Sequence, residues 1–172
     1  ILILIAMVSA TWMYGGIVPS LIYYGLEFIN PSTFLVITCL VCSVISVLTG
    51  SSWTTCATIG IAFMGIGTIM GYNEAWIAGA VISGAYFGDK MSPLSDTTVL
   101  AASTTGVKLF DHIKYLFITT VPAMTIAFIV YAILGYSSDA VGATDNKELT
   151  IHLTNTFAIS PWLLLAPIIT CS

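Results

Sequence analysis

The segment from Gly88 to Thr98 places three ionisable side chains, Asp89, Lys90 and Asp96, between two strongly apolar stretches of sequence. An ionisable group at the centre of a bilayer costs roughly 2.5–3.5 kcal/mol on insertion scales. Such groups are rare in membrane-buried sequence, and those that occur usually lie on the route of an ion or a proton. The segment therefore restricts the chain to folds that shelter charge among apolar helices.

The composition is that of a membrane protein. Hydrophobic residues make up 58% of the 172 residues, charged residues make up 7%, and the mean hydropathy is +1.01. A soluble domain carries about 25% charged residues. The net charge is -4 and the sequence contains no arginine, so there is no basic stripe and nucleic acid is not an expected partner. The lipid bilayer is the expected surrounding.

The apolar runs predict an all-α fold, a polytopic transmembrane helix bundle, because each crossing needs roughly 20 apolar residues as helix. A helix break is expected at Gly15-Gly16, a charged surface loop at 106–114, and a short interfacial helix after Asp145. The predicted apolar helices cover residues 1–28, 33–48, 56–70, 75–87 and 115–134, with a short helix up to residue 105 and another span from Pro161.

We expect a single transmembrane transporter-type domain over residues 1–172. The sequence starts at Ile1 inside one apolar run and stops inside another, and no signal peptide is recognisable. The expectation is therefore an internal fragment with further sequence on both sides.

Two polar segments are expected to interrupt helices within the membrane. Gly88 is predicted to end one helix, and Ser92-Pro93 to begin the next as N-cap and first helical residue. The other predicted interruption, earlier in the chain, is the run Gly50–Thr55. Non-helical backbone at membrane depth is tolerated where it is buried in protein or lines a wet cavity. Discontinuous helices of this kind build ion sites in secondary transporters.

The oxygen-rich side chains of the 88–98 segment predict a site for Na+ and H+. A carboxylate shielded from water can hold a proton or a metal cation, and competition for one site couples opposite flows of the two. Asp96 is the preferred direct ligand or proton carrier, and Asp89 is either a second ligand or an anchor paired with Lys90. The full set of predicted ion-binding and proton-binding residues is Asp89, Ser92, Ser95, Asp96, Thr97 and Thr98.

The polar run Gly50–Thr55 is the predicted partner of this site, since its hydroxyls and released carbonyls could complete the coordination of an ion. Two plainer readings stay open. The hydroxyls could simply bond to their own or a neighbouring helix, and the three charges could form an internal salt-bridged staple. The residues of the partner segment are Gly50, Ser51, Ser52, Trp53 and Thr54.

The pair Cys39-x-x-Cys42 has the spacing of a redox motif, but it lies within an apolar span and has no βαβ context. Both cysteines are predicted to be small apolar core residues.

The run Gly84-Ala-Tyr-Phe-Gly-Asp-Lys-Met-Ser-Pro-Leu-Ser-Asp-Thr-Thr98 resembles the signature of the NhaC-type sodium/proton antiporter family. Further marks of that family are Thr49–Trp53, Ala10–Met13 with Ile22–Tyr24, and Asp111-His112, whereas Val99 stands where asparagine is more usual.

The resemblance implies a secondary active antiporter that exchanges Na+ for H+ by alternating access, in a multi-pass protein of a bacterial cell (inner) membrane. It also implies a longer chain with inverted-repeat halves, of which this is about one half. The absent second half and a homo-oligomer are then expected partners. Na+ and H+ would be transported ions, with no resident cofactor.

Three other functions remain as alternatives. A sodium-coupled organic-anion (malate/lactate) antiporter would need a cation facing the substrate carboxylate, and Lys90 is the candidate. An intramembrane aspartyl protease would show a Gly-x-Gly-Asp pattern, but Tyr86 stands in the place of its first glycine, and we do not expect an enzyme. A channel or a purely structural membrane subunit is the third.

Overall fold

The computed structural model describes residues 30–137 continuously, together with separate residues between 3 and 20. Residues 30–137 fold into helices, which confirms the all-α class for this part of the chain. A 3-10 turn at Pro31–Thr33 precedes the first of them. The helices are α1 (Phe34–Thr49), α2 (Ser52–Ile69), α3 (Glu74–Met91), α4 (Asp96–Thr105) and α5 (Leu109–Ser137). Within α2, the turn Cys56–Gly60 is π-helical.

Two of these helices, α2 with 18 residues and α5 with 29 residues, are long and apolar enough to cross a membrane. At 1.5 Å per residue, α2 spans about 27 Å, close to the thickness of a hydrocarbon core. The apolar α1 is shorter, with 16 residues. The predicted surface loop at 106–114 is wrong in extent, because α5 already begins at Leu109 and only two residues separate it from Gly106, which caps α4 in a left-handed conformation.

The most extensive packing in the described chain joins α1 to α3 through small residues. A Cβ added at Gly84 would collide with the carbonyl oxygen of Cys39, and one added at Gly88 would collide with the carbonyl oxygen of Ser43. The spacing of four residues puts both glycines on one face of α3. In an apolar medium, such small residues let two helix backbones approach closely.

An aromatic cluster closes one end of this helix pair. The ring of Phe34 lies 6.1 Å from that of Phe63 and 5.5 Å from that of Tyr72, measured between centroids. Phe34 is fully buried, and Ile77 of α3 is buried in the same core cluster. The helix α5 joins α3 through a 2.9 Å hydrogen bond between the hydroxyls of Tyr131 and Ser83. These contacts set the relative positions of α1, α2, α3 and α5.

Several expectations concern residues near the two ends of the sequence. A turn lies at Gly15-Gly16, the position of the expected break, with a φ of 78° at Gly16. The expected interfacial helix after Asp145 and the span from Pro161 lie outside the described residues. Most of the expected span 1–28 also lies outside them.

Thr38 offers a stability prediction. Its side chain on α1 is fully buried, and its hydroxyl oxygen has no hydrogen-bond partner. A buried hydroxyl without a partner costs about 1–3 kcal/mol, so Thr38→Val is expected to stabilise the protein by about 1 kcal/mol. Thermal unfolding of the purified full-length protein in detergent should show a higher Tm.

The matched control for that substitution is Ser43→Ala on the same helix. The Ser43 hydroxyl donates to the carbonyl of Cys39 at 2.7 Å, so its removal is expected to leave the Tm unchanged or to lower it. A lower Tm for Thr38→Val than for the wild type would show that the Thr38 hydroxyl contributes a favourable interaction.

Candidate functional site

The first helix interruption separates α1 from α2 at residues 50–51. Gly50 takes a left-handed conformation with φ +67°, and a Cβ there would lie 2.8 Å from the backbone carbonyl carbon of Leu94. Ser51 caps α2, since its hydroxyl oxygen accepts a hydrogen bond from the backbone N–H of Thr54 at 3.3 Å. Glycine is therefore required at position 50 both by backbone conformation and by the close approach of the second interruption.

The second interruption, residues 92–95, separates α3 from α4. Ser92 is fully buried, and its hydroxyl donates to the carbonyl of Val47 at 2.7 Å and accepts from the backbone N–H of Leu94 at 3.2 Å. Ser95 is also fully buried, with its hydroxyl 2.9 Å from that of Thr97. The turn is thus attached to the C-terminal end of α1, and the two interruptions lie against each other.

The boundaries of the second interruption correct two predictions. Helix α3 continues through Gly88 to Met91, and α4 begins at Asp96 rather than at Pro93. Gly88 is needed for close packing on α1 rather than for ending α3. The Ser92 hydroxyl is bonded to Val47 and Leu94, so it holds the turn instead of capping a helix.

Asp89 lies where the two interruptions meet. Its side chain is 9% exposed, and one carboxylate oxygen accepts a hydrogen bond from the Ser52 hydroxyl at 3.1 Å. Ser52 is itself 5% exposed and is the first residue of α2. From the other side, the Thr98 hydroxyl of α4 lies 3.4 Å from the main-chain carbonyl oxygen of Asp89. Polar groups of α2, α3 and α4 therefore converge on one buried position.

The Asp89 carboxylate has acceptor positions that the described residues do not fill. An ionised carboxylate has about four acceptor positions, and Ser52 occupies one of those offered by Asp89. A buried charge that is not compensated is strongly unfavourable. The positive dipole end of α2 faces the carboxylate through Ser52 but supplies at most about half a charge.

The donor set of the site is rich in oxygen. Among residues 30–137 and the other described residues, no three histidine, cysteine, aspartate or glutamate side chains converge. A cation beside Asp89 would therefore be held by one carboxylate together with hydroxyl and carbonyl oxygens, which are ligands that suit hard cations.

The remaining predicted site residues are less buried in this chain. Asp96 and Thr97 are exposed in the first turn of α4, and Trp53 is 66% exposed. Ser51 and Thr54 are half-buried and bond to each other, with 3.1 Å between their hydroxyls. The structure thus brings Asp89, Ser92, Thr98, Gly50, Ser51 and Ser52 together and leaves Asp96, Thr97 and Trp53 at the periphery.

The expected pairing of Asp89 with Lys90 is not formed in this structure. The Asp89 side chain contacts Ser52 of α2, whereas Lys90 is exposed and lines a cavity between α3 and α5. Neighbouring residues on a helix point about 100° apart, so the two side chains occupy different sides of α3.

Sequence reasoning missed one feature of the site. The Val47 carbonyl was not recognised as an acceptor for Ser92, because an unremarkable apolar residue gives no sequence signal for that role. Thr55, the last residue of the predicted polar run, is fully buried. Its hydroxyl donates to the carbonyl of Ser51 at 3.0 Å and lies 3.4 Å from the hydroxyl of Thr49 across the interruption.

The two cysteines of the Cys-x-x-Cys pair have a structural role. Cys39 and Cys42 are fully buried free thiols on α1, in the core that packs against α3. This confirms the prediction that they are apolar core residues.

The described part of the chain thus combines apolar helices, two of them long enough to cross a membrane, with a buried carboxylate where two helix interruptions meet. Comparison with known proteins identifies the group. The chain belongs to the Na+/H+ antiporter family, whose match covers residues 84–172. The family expected from the sequence resemblance is thereby confirmed.

Three relatives illustrate the range of similar proteins. The chain is 48% identical over 169 residues to the Na(+)/H(+) antiporter NhaC of Alkalihalophilus pseudofirmus, an alignment that covers 98% of this chain and 37% of the relative. It is 44% identical over 171 residues to the malate-2H(+)/Na(+)-lactate antiporter of Bacillus subtilis, and this alignment covers 98% of this chain and 36% of that relative. It is 40% identical over 174 residues to the arginine/ornithine antiporter ArcD of Halobacterium salinarum, and this alignment covers 99% of this chain and 36% of that relative.

The chain therefore spans little more than a third of the length of these relatives. No solved structure matches it.

Proposed function

We propose that the full-length protein exchanges Na+ for H+ across the cell membrane and that Asp89 binds the two ions alternately. The observation that carries this proposal is the buried Asp89 carboxylate, bonded to Ser52 where two helix interruptions meet. Two kinds of relative support it, since one is named as a Na(+)/H(+) antiporter and another as an antiporter of Na(+) and protons with organic anions.

In the cation-bound form, Na+ would replace the proton at Asp89. The carboxylate supplies the charge, and the Ser52 hydroxyl turns its oxygen lone pair toward the ion. The Thr98 hydroxyl is near enough to the end of α3 to contribute a further oxygen. Ser92 holds the turn in place through Val47 and positions the ligands without contacting the ion.

Competition at Asp89 supplies the coupling. Because a proton and a cation occupy the same carboxylate oxygens, the site can carry either across the membrane but not both together. The apparent affinity for Na+ is therefore expected to fall as the pH falls. Alternate exposure of such a site by movement of one group of helices against another is the usual mechanism of secondary transporters.

Asp96 is assigned a separate role on the route to the site. It lies at the exposed start of α4, two residues before Thr98, with Ser95 and Thr97 beside it. We assign it the role of a proton carrier or transient cation ligand between Asp89 and the aqueous phase. The rest of the full-length chain would cover this face and complete a multi-pass domain of the cell membrane.

The Ser52→Ala substitution tests the ion ligands. A hydrogen bond to a charged group contributes about 1.5–3 kcal/mol. A loss of about 1.4 kcal/mol raises a dissociation constant about tenfold. The Na+ concentration that gives half-maximal proton movement in vesicles is therefore expected to rise about tenfold.

The control for Ser52→Ala is Ser103→Ala in α4, whose exposed hydroxyl bonds to the carbonyl of Val99. It should retain the wild-type Na+ dependence. An unchanged Na+ dependence for Ser52→Ala would remove this residue from the site.

A second candidate function is sodium-coupled exchange of organic carboxylates. One observation favours it, namely the placement of Lys90 in a cavity between α3 and α5. Malate and lactate, the anions in the name of one relative, both carry carboxylates. In either function, the protein uses Asp89 to bind ions rather than for hydrolysis. Asp89 is buried and Asp96 is exposed, so the two do not resemble the proton-sharing pair of an aspartyl protease.

A further inference from the structure

The C-terminal end of α1 is bonded to both helix elements that meet at the ion site. The backbone carbonyl of Ser46 accepts a hydrogen bond from the N–H of Gly50 at 2.8 Å, where α1 ends at the first interruption. The Ser46 hydroxyl donates to the backbone carbonyl of Ala85 in α3. Ser46 is fully buried, so these bonds are shielded from water. One residue therefore joins the first interruption to the helix that carries Asp89.

The bond from Ser46 reaches the turn of α3 that leads to Asp89. Within an α-helix the N–H of residue i bonds to the carbonyl of residue i−4, so the Ala85 carbonyl is also the helical acceptor for the N–H of Asp89. Gly88 leaves room for this contact, because a Cβ there would lie 2.5 Å from the Cβ of Ser46. A shift of Ala85 relative to Ser46 would therefore move the backbone of Asp89 with it.

These contacts form a closed path around the ion site. Ser52 lies two residues after Gly50, whose N–H bonds to Ser46. The Ser46 hydroxyl leads on through the carbonyl of Ala85 to Asp89. The Asp89 carboxylate then returns to the Ser52 hydroxyl at 3.1 Å. This last bond joins the two groups assigned to ion binding, and the bonds of Ser46 set the distance between them.

We propose that Ser46 is a positioning residue of the ion site. It fixes the Asp89 carboxylate relative to the Ser52 hydroxyl, and it does not contact the ion. The inference rests on the function proposed above, because it concerns the same site. Binding groups must be held within about 0.5 Å of their productive geometry by the residues behind them, so loss of the Ser46 hydroxyl should weaken ion binding.

The test is the Na+ dependence of proton movement in vesicles that contain the full-length Ser46→Ala protein. Alanine removes the hydroxyl and adds no volume, and the Ala85 carbonyl keeps its helical partner. Loss of one hydrogen bond between membrane helices changes an equilibrium constant by about threefold to tenfold. The half-maximal Na+ concentration should rise by about that factor. The maximal rate should change less, since the ion ligands remain.

The matched control is Ser43→Ala, which removes a buried hydroxyl one turn earlier on the same helix. The Ser43 hydroxyl donates to the carbonyl of Cys39 in its own helix. This variant should therefore keep the wild-type half-maximal Na+ concentration. An equal rise in Ser43→Ala and Ser46→Ala would show that Ser46 only supports the fold, and it would overturn the inference.

A double variant tests whether Ser46 acts through Ser52. In the Ser52→Ala background no hydroxyl remains to be aligned with Asp89, so adding Ser46→Ala should raise the half-maximal Na+ concentration little further. Equal factors for Ser46→Ala in the wild-type and Ser52→Ala backgrounds would overturn the inference. So would a wild-type Na+ dependence of the single Ser46→Ala variant.

Failure of this inference is distinct from failure of the ion site. A wild-type Na+ dependence of Ser46→Ala, together with loss of exchange in Asp89→Asn, removes only the role of Ser46. Exchange that survives in Asp89→Asn removes the ion site itself, and the positioning role with it.

Discussion

Replacing Asp89 with asparagine is expected to reduce Na+-dependent proton movement to the background of vesicles that lack the protein. Asparagine has nearly the same shape as aspartate and can still accept a hydrogen bond from Ser52, so the contact between α2 and α3 is retained. It carries no charge, and therefore it can neither hold a cation against the surrounding apolar helices nor exchange a proton. The measurement is the Na+-induced change of internal pH in vesicles that contain the full-length protein.

Two further aspartates make that experiment specific. Asp111→Asn alters an exposed carboxylate near the start of α5 and should leave exchange at the wild-type rate. Asp96→Asn should slow exchange less than Asp89→Asn, because Asp96 lies at the exposed start of α4 and not between the interruptions. Wild-type exchange by a correctly folded Asp89→Asn variant would show that the transported ions bind elsewhere.

Substituting Gly88 with alanine is expected to destabilise the protein severely. The added Cβ would lie 2.5 Å from the Cβ of Ser46 and 2.7 Å from the backbone nitrogen of Val47, and it would also collide with the carbonyl oxygen of Ser43. Backbone atoms cannot move aside without separating α1 from α3. Overpacking of a well-packed core typically costs about 1–3 kcal/mol and occasionally more, and we expect the upper end here. A lower Tm and a lower yield of folded protein in detergent are the readouts.

Gly79→Ala is the matched control on the same helix. A Cβ at Gly79 would meet only the hydroxyl of Tyr131, at 3.3 Å, which is the far end of a side chain. Alanine is favoured over glycine within a helix by about 1 kcal/mol, so this variant should be as stable as the wild type or more stable. A Gly88→Ala protein with the Tm of the Gly79→Ala protein would show that α1 and α3 are not packed as described.

The helices and the start of the first interruption could be predicted from sequence because their signals are local. The predicted extent of that interruption, Gly50–Thr55, was too long, since α2 already begins at Ser52. Apolar runs of sufficient length predicted α1 and α2, and the polar run after Thr49 predicted the end of α1. Gly50, the first residue of the predicted polar run, takes the left-handed conformation that favours glycine at the C-terminal end of a helix. The family resemblance likewise rested on a continuous run of residues.

The second interruption was misplaced because its determinants are distant in sequence. Gly88 near the end of an apolar run has the same local signal whether it ends a helix or packs against one. Its actual neighbours, Ser43 and Val47, lie more than forty residues earlier in the chain. The same applies to Ser92, whose hydroxyl bonds to the carbonyl of Val47 rather than capping a new helix.

The choice between the two aspartates also depended on tertiary structure. Both lie within the same eleven-residue segment, so the sequence did not rank them by burial. The rotation of α3 about its axis determines the burial of Asp89, since it turns Asp89 toward Ser52 and turns Lys90 toward α5. The sequence carries no local mark of that rotation.

The most direct measurement of the central claim is the release of protons when Na+ binds to the purified full-length protein in weakly buffered detergent solution. If Na+ displaces a proton from Asp89, the wild type will acidify the solution saturably as NaCl is added, and choline chloride at the same ionic strength will not. The Asp89→Asn protein should release no protons. Release of equal size from the Asp89→Asn protein, or none from the wild type at any pH between 6 and 9, would contradict the account.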